Sequence, residues 1–523
     1  MRKKMIVIGI LLVFTGIMLA PCTTSDGTRP APRTTSGCPL ILLDEPGTLS
    51  GYVTDTEMSP IQGAHIRVDF HDTYRENYSD ATGYYHVTDI PLCYCMKNVT
   101  CSKPGYIPAS VSLTITENTT YDFILASTGP WLYVGGNGLE NYTRIQDAID
   151  NASNGDIVFV YDDSSPYQEK LIVDKSIILC GETKETTVID GGSVTILILA
   201  DDVVVSGFTI TNSQWLYGIH RAGIYILSNR TLIFDNIITH VWEGVACGWF
   251  NRSINHITIE RNKIDYVKGQ GLSFVNTKFV TISNNTINNT FSSGININNA
   301  SENSIIQNSI QNISDGHGIQ GWDTDGCQIV RNTIQNGEMN GIMLIDSTNA
   351  IISSNVIIAM SESGISSERS IVISNNTVDS CDNYGIIVSG DHCNLTGNRV
   401  INNRIGMFLS EGSNCIITSN IIKQNEHGLN LAGTPYTTVS QNNFLDNEND
   451  ANFTSLITTI IGVFTCIGTR FQQNYWSNTR FFPKIIPGTI YFTRDGQNFT
   501  RFPLFKIDMH PAQEPYDIGG IIK

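Results

Sequence analysis

From residue 222 to residue 445, apolar positions return at fixed steps and are flanked by polar ones. Asn recurs at Asn236, Asn262, Asn285, Asn308, Asn332, Asn355, Asn376, Asn398, Asn420 and Asn443, at steps of 21 to 26 residues. A Gly followed by an apolar residue keeps the same beat from Gly223, Gly244 and Gly271 to Gly406 and Gly428. Three residues before the Asn stands an aliphatic column, from Ile233 and Ile259 to Leu395 and Ile417. Two residues after it stands a second, from Ile238 and Ile264 to Ile422 and Leu445. A third follows each Gly, from Ile224 and Val245 to Met407 and Leu429. Alternation inside each short run turns these residues inward and their polar neighbours outward. Three inward columns predict three sheets around one core, an all-β right-handed parallel β-helix. A period of this size is that of one coil, and about ten to eleven coils at roughly 4.8 Å each give a rod near 50 Å. Gly is expected to supply the positive φ of a tight corner, and Asn to tolerate similar turns while its amides stack along the axis.

Ahead of the repeat the pattern differs. Residues 48–126 alternate as short strands separated by turn residues, such as Pro60-Ile61-Gln62-Gly63 and Ser79-Asp80-Ala81-Thr82-Gly83. Thr143-Arg144-Ile145-Gln146 reads as a capping box, with Ile145, Ala148, Ile149 and Ala152 at helical spacing behind it. A helix here would close the open end of the first coil, which otherwise leaves backbone and apolar side chains unpaired. Residues 22–47 are a Thr-, Pro- and Ser-rich linker. Before them, Arg2, Lys3 and Lys4 precede an uncharged apolar run over residues 5–20. That run suits a signal-peptide core and predicts a secreted or cell-surface protein. Pro21 disfavours cleavage after Ala20, so residues 1–21 are either a signal peptide or an N-terminal membrane anchor.

Residues 48–126, with Gly51-Tyr52-Val53, Lys103-Pro104-Gly105-Tyr106 and Asp122-Phe123-Ile124-Leu125, resemble the carboxypeptidase regulatory-like family. That resemblance implies a small transthyretin-like β-sandwich with an accessory, non-catalytic role. The helix, the repeats and Asn474-Tyr475-Trp476-Ser477 resemble the NosD-like exported β-helix proteins, frequent at archaeal cell surfaces. On this reading the β-helix occupies residues 131–475 and a C-terminal cap segment residues 476–523.

Composition narrows the partners. A net charge of −17 with 41% hydrophobic residues describes a soluble, cored chain and argues against nucleic acid or an anionic membrane as partner. Sequons at Asn77, Asn98, Asn118, Asn229, Asn251, Asn312 and Asn394 are candidate glycan acceptors if the chain is exported, although an Asn-rich chain makes such triplets by chance. The 12 cysteines show no zinc-like spacing. Cys93, Cys95 and Cys101 have the makings of one disulfide. Cys393 and Cys415, both five residues before their Asn, are read as inward-pointing buried thiols on adjacent coils, with a disulfide as the alternative.

Two sets of residues carry candidate chemistry. Aligned on their glycines, Asp323 and Asp346 stack on adjacent coils, with Arg369 at the same position on the next. Two carboxylates at about 5 Å suit a calcium ion or a retaining glycosidase, with Trp322 as a sugar platform and Asp325 and Glu338 near in sequence. The plainer reading is a solvated turn. The second set is the residue before each Gly, namely Glu243, Gln270, Ser293, His317 and Asn340, flanked by Trp242, Trp249 and Tyr225. Polar groups interleaved with aromatics describe a carbohydrate-binding face, or any wet face carrying a few rings. Gly316-His317-Gly318 precedes Asp323-Thr324-Asp325, the reverse of the order in polygalacturonases. His220, His240, His317, His392 and His427 lack copper-ligand spacing. The expectation is an extracellular, surface-associated protein binding polysaccharide or cell-envelope glycans as scaffold or adhesin. A polysaccharide lyase, glycoside hydrolase or epimerase using Asp323, Asp346 and Arg369 is the alternative.

Overall fold

The computed structural model describes residues 46–518, except 57, 71–72, 92–95, 104–105, 107, 116–117, 126–128, 193, 214–221, 249–252, 459–461, 465, 478–482 and 494–498. The apolar N-terminal run, most of the linker, Cys93, Cys95, His220, Trp249 and Asn251 lie outside the described residues.

The N-terminal unit is a sandwich of two four-stranded sheets. In one, Gly47–Asp55 pairs antiparallel with Tyr84–Ile90 and parallel with Asn118–Thr120 and Phe123–Leu125. In the other, His65–Phe70 lies between Thr73–Tyr78 and Met96–Ser102, and Ala109–Thr114 completes the sheet. The alternating residues Ile66 and Val68 meet Leu49, Val53, Tyr85, Val87 and Phe123 in one core. Asp80 fixes the turn after Thr73–Tyr78, accepting from the Thr82 N–H and hydroxyl and from the Tyr84 N–H.

The second unit is the solenoid. Its three parallel sheets have the predicted register. Ile233 pairs with Ile259 and Ile259 with Ile282 in the first sheet; Ile238 pairs with Ile264 in the second; Ile224 pairs with Val245 in the third. Every member of the three predicted columns is buried except Leu445. That exception corrects the register of the last coil. Asn442, not Asn443, continues the Asn column, and Phe444 enters the core in place of Leu445. The solenoid is also longer than predicted. The second sheet has 13 strands, from Val188–Asp190 to Tyr475–Trp476, roughly 60 Å at about 4.8 Å per strand. The earliest coils carry no Asn landmark, because Thr187 and Phe208 stand where later coils place Asn.

The landmarks owe their places to packing rather than to the expected turn geometry. No Gly of the beat has positive φ. A Cβ on Gly318 would instead lie 2.4 Å from Ile334 Cγ2 and 2.5 Å from the Gly341 carbonyl oxygen. Coils stack this closely only without a side chain there. Likewise the left-handed residue is the one before the Asn, such as Asp235, Arg261 or Gln307. The Asn itself is buried and builds the ladder. At Asn308, the backbone N–H and Nδ2 both donate to Asn332 Oδ1 (2.9 and 3.0 Å), and Nδ2 also donates to the Ile282 carbonyl. The ladder runs unbroken from Asn236 to Asn474. It ends on the buried carboxylate of Asp508, which accepts from the N–H groups of Gln473 and Asn474 and from Trp476 Nε1. Trp476 stacks on Phe444 at 4.3 Å, closing the core.

At the other end, the helix Ile145–Asn151 buries Ile145, Ala148 and Ile149 as expected. Its cap is not the predicted box. The Glu169 carboxylate, 8% exposed, accepts the N–H groups of Ile145 and Gln146, while the Gln146 side chain bonds Asp150 and the backbone of Ile172. A full charge at the helix N-terminus supplies a stronger acceptor than a hydroxyl.

Candidate functional site

The second sheet's strands end in a corner column that the landmark residues do not mark. His240, Tyr266, Asn289, Asn312, Asn336 and Ala359 occupy it on successive coils, all at φ between 52 and 58°. The register just behind them, Val267 with Thr290, Ile313, Gly337 and Met360, fixes their stacking. Asn accepts this left-handed conformation readily, whereas an aromatic ring there is uncommon. His240 and Tyr266 nonetheless hold it, with rings stacked at 5.2 Å and 20° between planes.

A groove of about 800 Å³ follows this corner from Asn212 to Ala359. Its other wall carries Lys268, Phe291, Ser314, Glu338 and Ser361. Tyr266 is 56% and Phe291 57% exposed, so both rings are open to a ligand. Amides are fixed along the same edge: Asn289 Nδ2 donates to Asp265 (2.9 Å), Asn312 Nδ2 to Asn288 (2.9 Å), and Gln335 Nε2 to Gln311 (2.8 Å). Thr290 also lines the groove, and its buried Oγ1 has no hydrogen-bond partner among the described residues. Seven rows in six steps of about 4.8 Å make an axial channel of roughly 29 Å. Such a channel can take an extended polymer, with rings for its apolar faces and amides for its hydroxyls.

The residues expected from sequence lie elsewhere. Asp323 and Asp346 follow the paired Trp322 and Ile345, and both are exposed at positive φ. The Arg369 guanidinium has closed on Asp346, at 2.5 Å from Nη2 and 3.2 Å from Nε, so the place offered to a cation faces a resident one. The Asp346 carboxylate in turn raises the guanidinium pKa. Asp325 accepts from Thr348 Oγ1 (2.6 Å) and Asn349 Nδ2 (2.8 Å), which hold its carboxyl below the usual range. Trp322 is half exposed beside them. Glu338 is not part of this cluster; it lines the groove at another corner. Among the described residues no three His, Cys, Asp or Glu side chains are grouped to hold a metal.

The predicted face before each Gly is largely interior. Tyr225, Ser293, His317 and Asn340 are buried, and Trp242, Glu243 and Gln270 half-buried. These side chains tie coil to coil. The His317 N–H donates to Ser293 Oγ, His317 Nδ1 accepts from the Asn340 N–H at 3.2 Å, and Asn340 Nδ2 donates to Glu362 at 2.9 Å. Burial holds the His317 pKa below that of a free imidazole. Cys393 and Cys415 are buried free thiols, both donating to the Gly390 carbonyl.

The fold and groove together define a β-solenoid protein with a sandwich module preceding its coils. The right-handed β-helix family model matches residues 194–320 and 317–459, together 266 of 523 residues, and the chain belongs to that family. The carboxypeptidase regulatory-like domain matches residues 48–126. No curated protein matches the sequence. Similar solved structures include the catalytic unit of an α-1,3-glucanase from Streptomyces thermodiastaticus, at 13% identity and TM-score 0.45, covering 82% of this chain and 87% of that one. The A-module of a mannuronan C-5 epimerase from Azotobacter vinelandii has 14% identity and TM-score 0.42, covering 62% and 94%. A DFA-IIIase from Arthrobacter chlorophenolicus has 10% identity and TM-score 0.40, covering 60% and 94%. At these identities the likeness concerns the fold alone.

Proposed function

We propose that the chain is an exported, surface-associated protein that binds a linear, largely neutral glycan along the axial groove. The carrying observation is two exposed rings, Tyr266 stacked with His240 on the corner and Phe291 on the other wall, beside fixed amides. Flat apolar sugar faces pack on rings, and hydroxyls satisfy amides. Lys268 and Glu338 are opposite in sign, so the groove offers no cationic row for a polyuronate. The basic start and apolar run over residues 5–20 support export, and the capping helix, the repeats and the C-terminal Asn474-Tyr475-Trp476-Ser477 motif support the narrower NosD-like likeness.

The test is titration calorimetry of the purified chain against neutral β- and α-glucans, mannan, alginate and polygalacturonate. Tyr266→Ala and Phe291→Ala are each expected to weaken binding by roughly tenfold, the size of one ring contact. Undiminished binding in both variants would remove the groove from the reading. Catalysis needs an acid or base placed at the scissile bond. New reducing ends or unsaturated products that vanish in Asp346→Ala would replace the binding reading with an enzymatic one.

A further inference from the structure

The third sheet ends in a hairpin that no part of the glycan reading uses. Lys484–Thr493 pairs antiparallel with Phe499–Asp508, placing Ile485 opposite Ile507, Pro487 opposite Phe505 and Tyr491 opposite Arg501. Residues directly opposite one another, and their alternate neighbours, share a face. One face is turned onto the last coils at its base, where Ile486 is buried and a Cβ on Gly488 would strike the Phe453 ring, while Leu504 and Phe502 farther along the same face are part exposed. The other face is open. Phe505 is 68% exposed, Ile485 61% and Ile507 39%, with Met509 just past the strand at 59%. Isolated exposed apolar residues are ordinary, but a contiguous row of them marks a contact surface.

Charge indicates what the surface meets. Residues 470–510 hold Arg470, Arg480, Lys484, Arg494, Arg501 and Lys506 against Asp495 and Asp508, a balance of +4 in a chain of −17. Asp508, the acid within the two strands, is buried at the end of the Asn ladder, away from the open face. Lys484 is engaged by Asp450 at 2.7 Å, and Lys506 lies over the Phe453 ring. Among the described residues, the cation of the open face is Arg501, exposed opposite Tyr491.

We propose that this hairpin face docks on an anionic phospholipid bilayer. Phe505, Ile507, Ile485 and Met509 enter the acyl boundary, and Arg501 meets the headgroup phosphates. Apolar area and local basic charge act together in such contacts. The net charge of the whole chain opposes an anionic membrane, but a bilayer feels the face presented to it. Charges beyond about 8 Å are screened at physiological salt.

Flotation with lipid vesicles tests this. The full chain is used with Leu11→Glu and Phe14→Glu, which silence the apolar N-terminal run in every arm. Vesicles are phosphatidylcholine alone or with roughly 30% phosphatidylglycerol. Recovery is expected with the anionic vesicles and not the neutral ones. It should fall roughly tenfold in Phe505→Ser with Ile507→Ser, and also in Arg501→Glu and at high salt. Arg501→Glu leaves the packed face untouched, so it reads the proposal even if the serine pair fails to fold. Equal recovery on neutral vesicles, or full recovery of Arg501→Glu, overturns the proposal. So does a two-copy mass in light scattering that Phe505→Ser reduces to one without any vesicle recovery, which would assign the face to a second copy.

Discussion

At the scale of single residues, the amide ladder is the feature that most constrains the chain. Each ladder Asn satisfies itself, the coil before it and the coil after it, and all of this takes place out of water. In Asn308→Ala, the Asn285 N–H and Nδ2 lose their acceptor and the Ile282 carbonyl loses a donor. Buried groups left without partners are expected to cost about 2–4 kcal/mol in total. Urea denaturation followed by circular dichroism should show the loss as a lower midpoint at unchanged slope. The exposed Lys263, one residue after ladder Asn262 and not at positive φ, serves as control and should tolerate Ala with a far smaller change. The ladder was legible from the recurrence of Asn alone. What recurrence did not reveal is the geometry of the landmark, because a left-handed residue and a buried amide stand side by side and only one of them repeats in identity.

At the scale of the element, the coil is the unit, and its length is set by register rather than by a fixed count. Asn398 and Asn420 are 22 residues apart and are equivalent rungs. Deleting residues 399–420 would join Asn398 to Ile421, whose position in the sheet Arg399 now holds. All three columns then remain continuous, and the shortened chain is expected to melt cooperatively with its near-ultraviolet spectrum retained. Deleting residues 399–409 instead moves every later column out of register, turning apolar residues outward. That chain is expected to aggregate or bind a hydrophobic dye. Two cooperative melts, or two failures, would show that the coil is not the repeating unit. The miscounted ends have the same origin. Thr187 and Phe208 fill ladder positions without Asn, and Asn442-Asn443 offers two candidates where the core, by accepting Phe444, takes one.

At the scale of the whole molecule, the solenoid core adds up small local contributions, including its thiols. Burial pushes Cys180, Cys327 and Cys381 up to about 12 from an ordinary 9.0. In the unfolded chain these groups lose protons near pH 9; in the folded chain they hold them to about 12. Between those values the unfolded state binds fewer protons, so stability falls as pH rises. Below pH 9 this contribution is complete and flat. Thermal melts are expected to drop from pH 8.5 to 10.5, and to drop less when all three are replaced by Ala. An identical pH dependence in the triple variant would rule out the thiols as its source.

The sequence by itself determined the architecture, because a repeat commits every coil to the same inward columns and each column is visible as spacing. It also marked the N-terminal module and the final Asn474-Tyr475-Trp476 segment. It did not determine the groove. His240, Tyr266 and Phe291 belong to three different coils, and nothing in their spacing separates an outward ring on a wall from one lost in a turn. Backbone conformation marks His240 and Tyr266, aromatic residues held at positive φ where their column elsewhere carries Asn or Ala, but it does not mark Phe291, and His256 and Phe279 share it at another corner. Tertiary structure likewise decided the fate of the predicted carboxylates. Register put Asp323 and Asp346 in line, but the Arg369 side chain chose Asp346 as partner, a matter of rotamer and reach. Position along a solenoid follows from the period of the chain. Which side chains share a surface, and which neutralise one another, depends on coils brought together across some 20 to 30 residues at each turn.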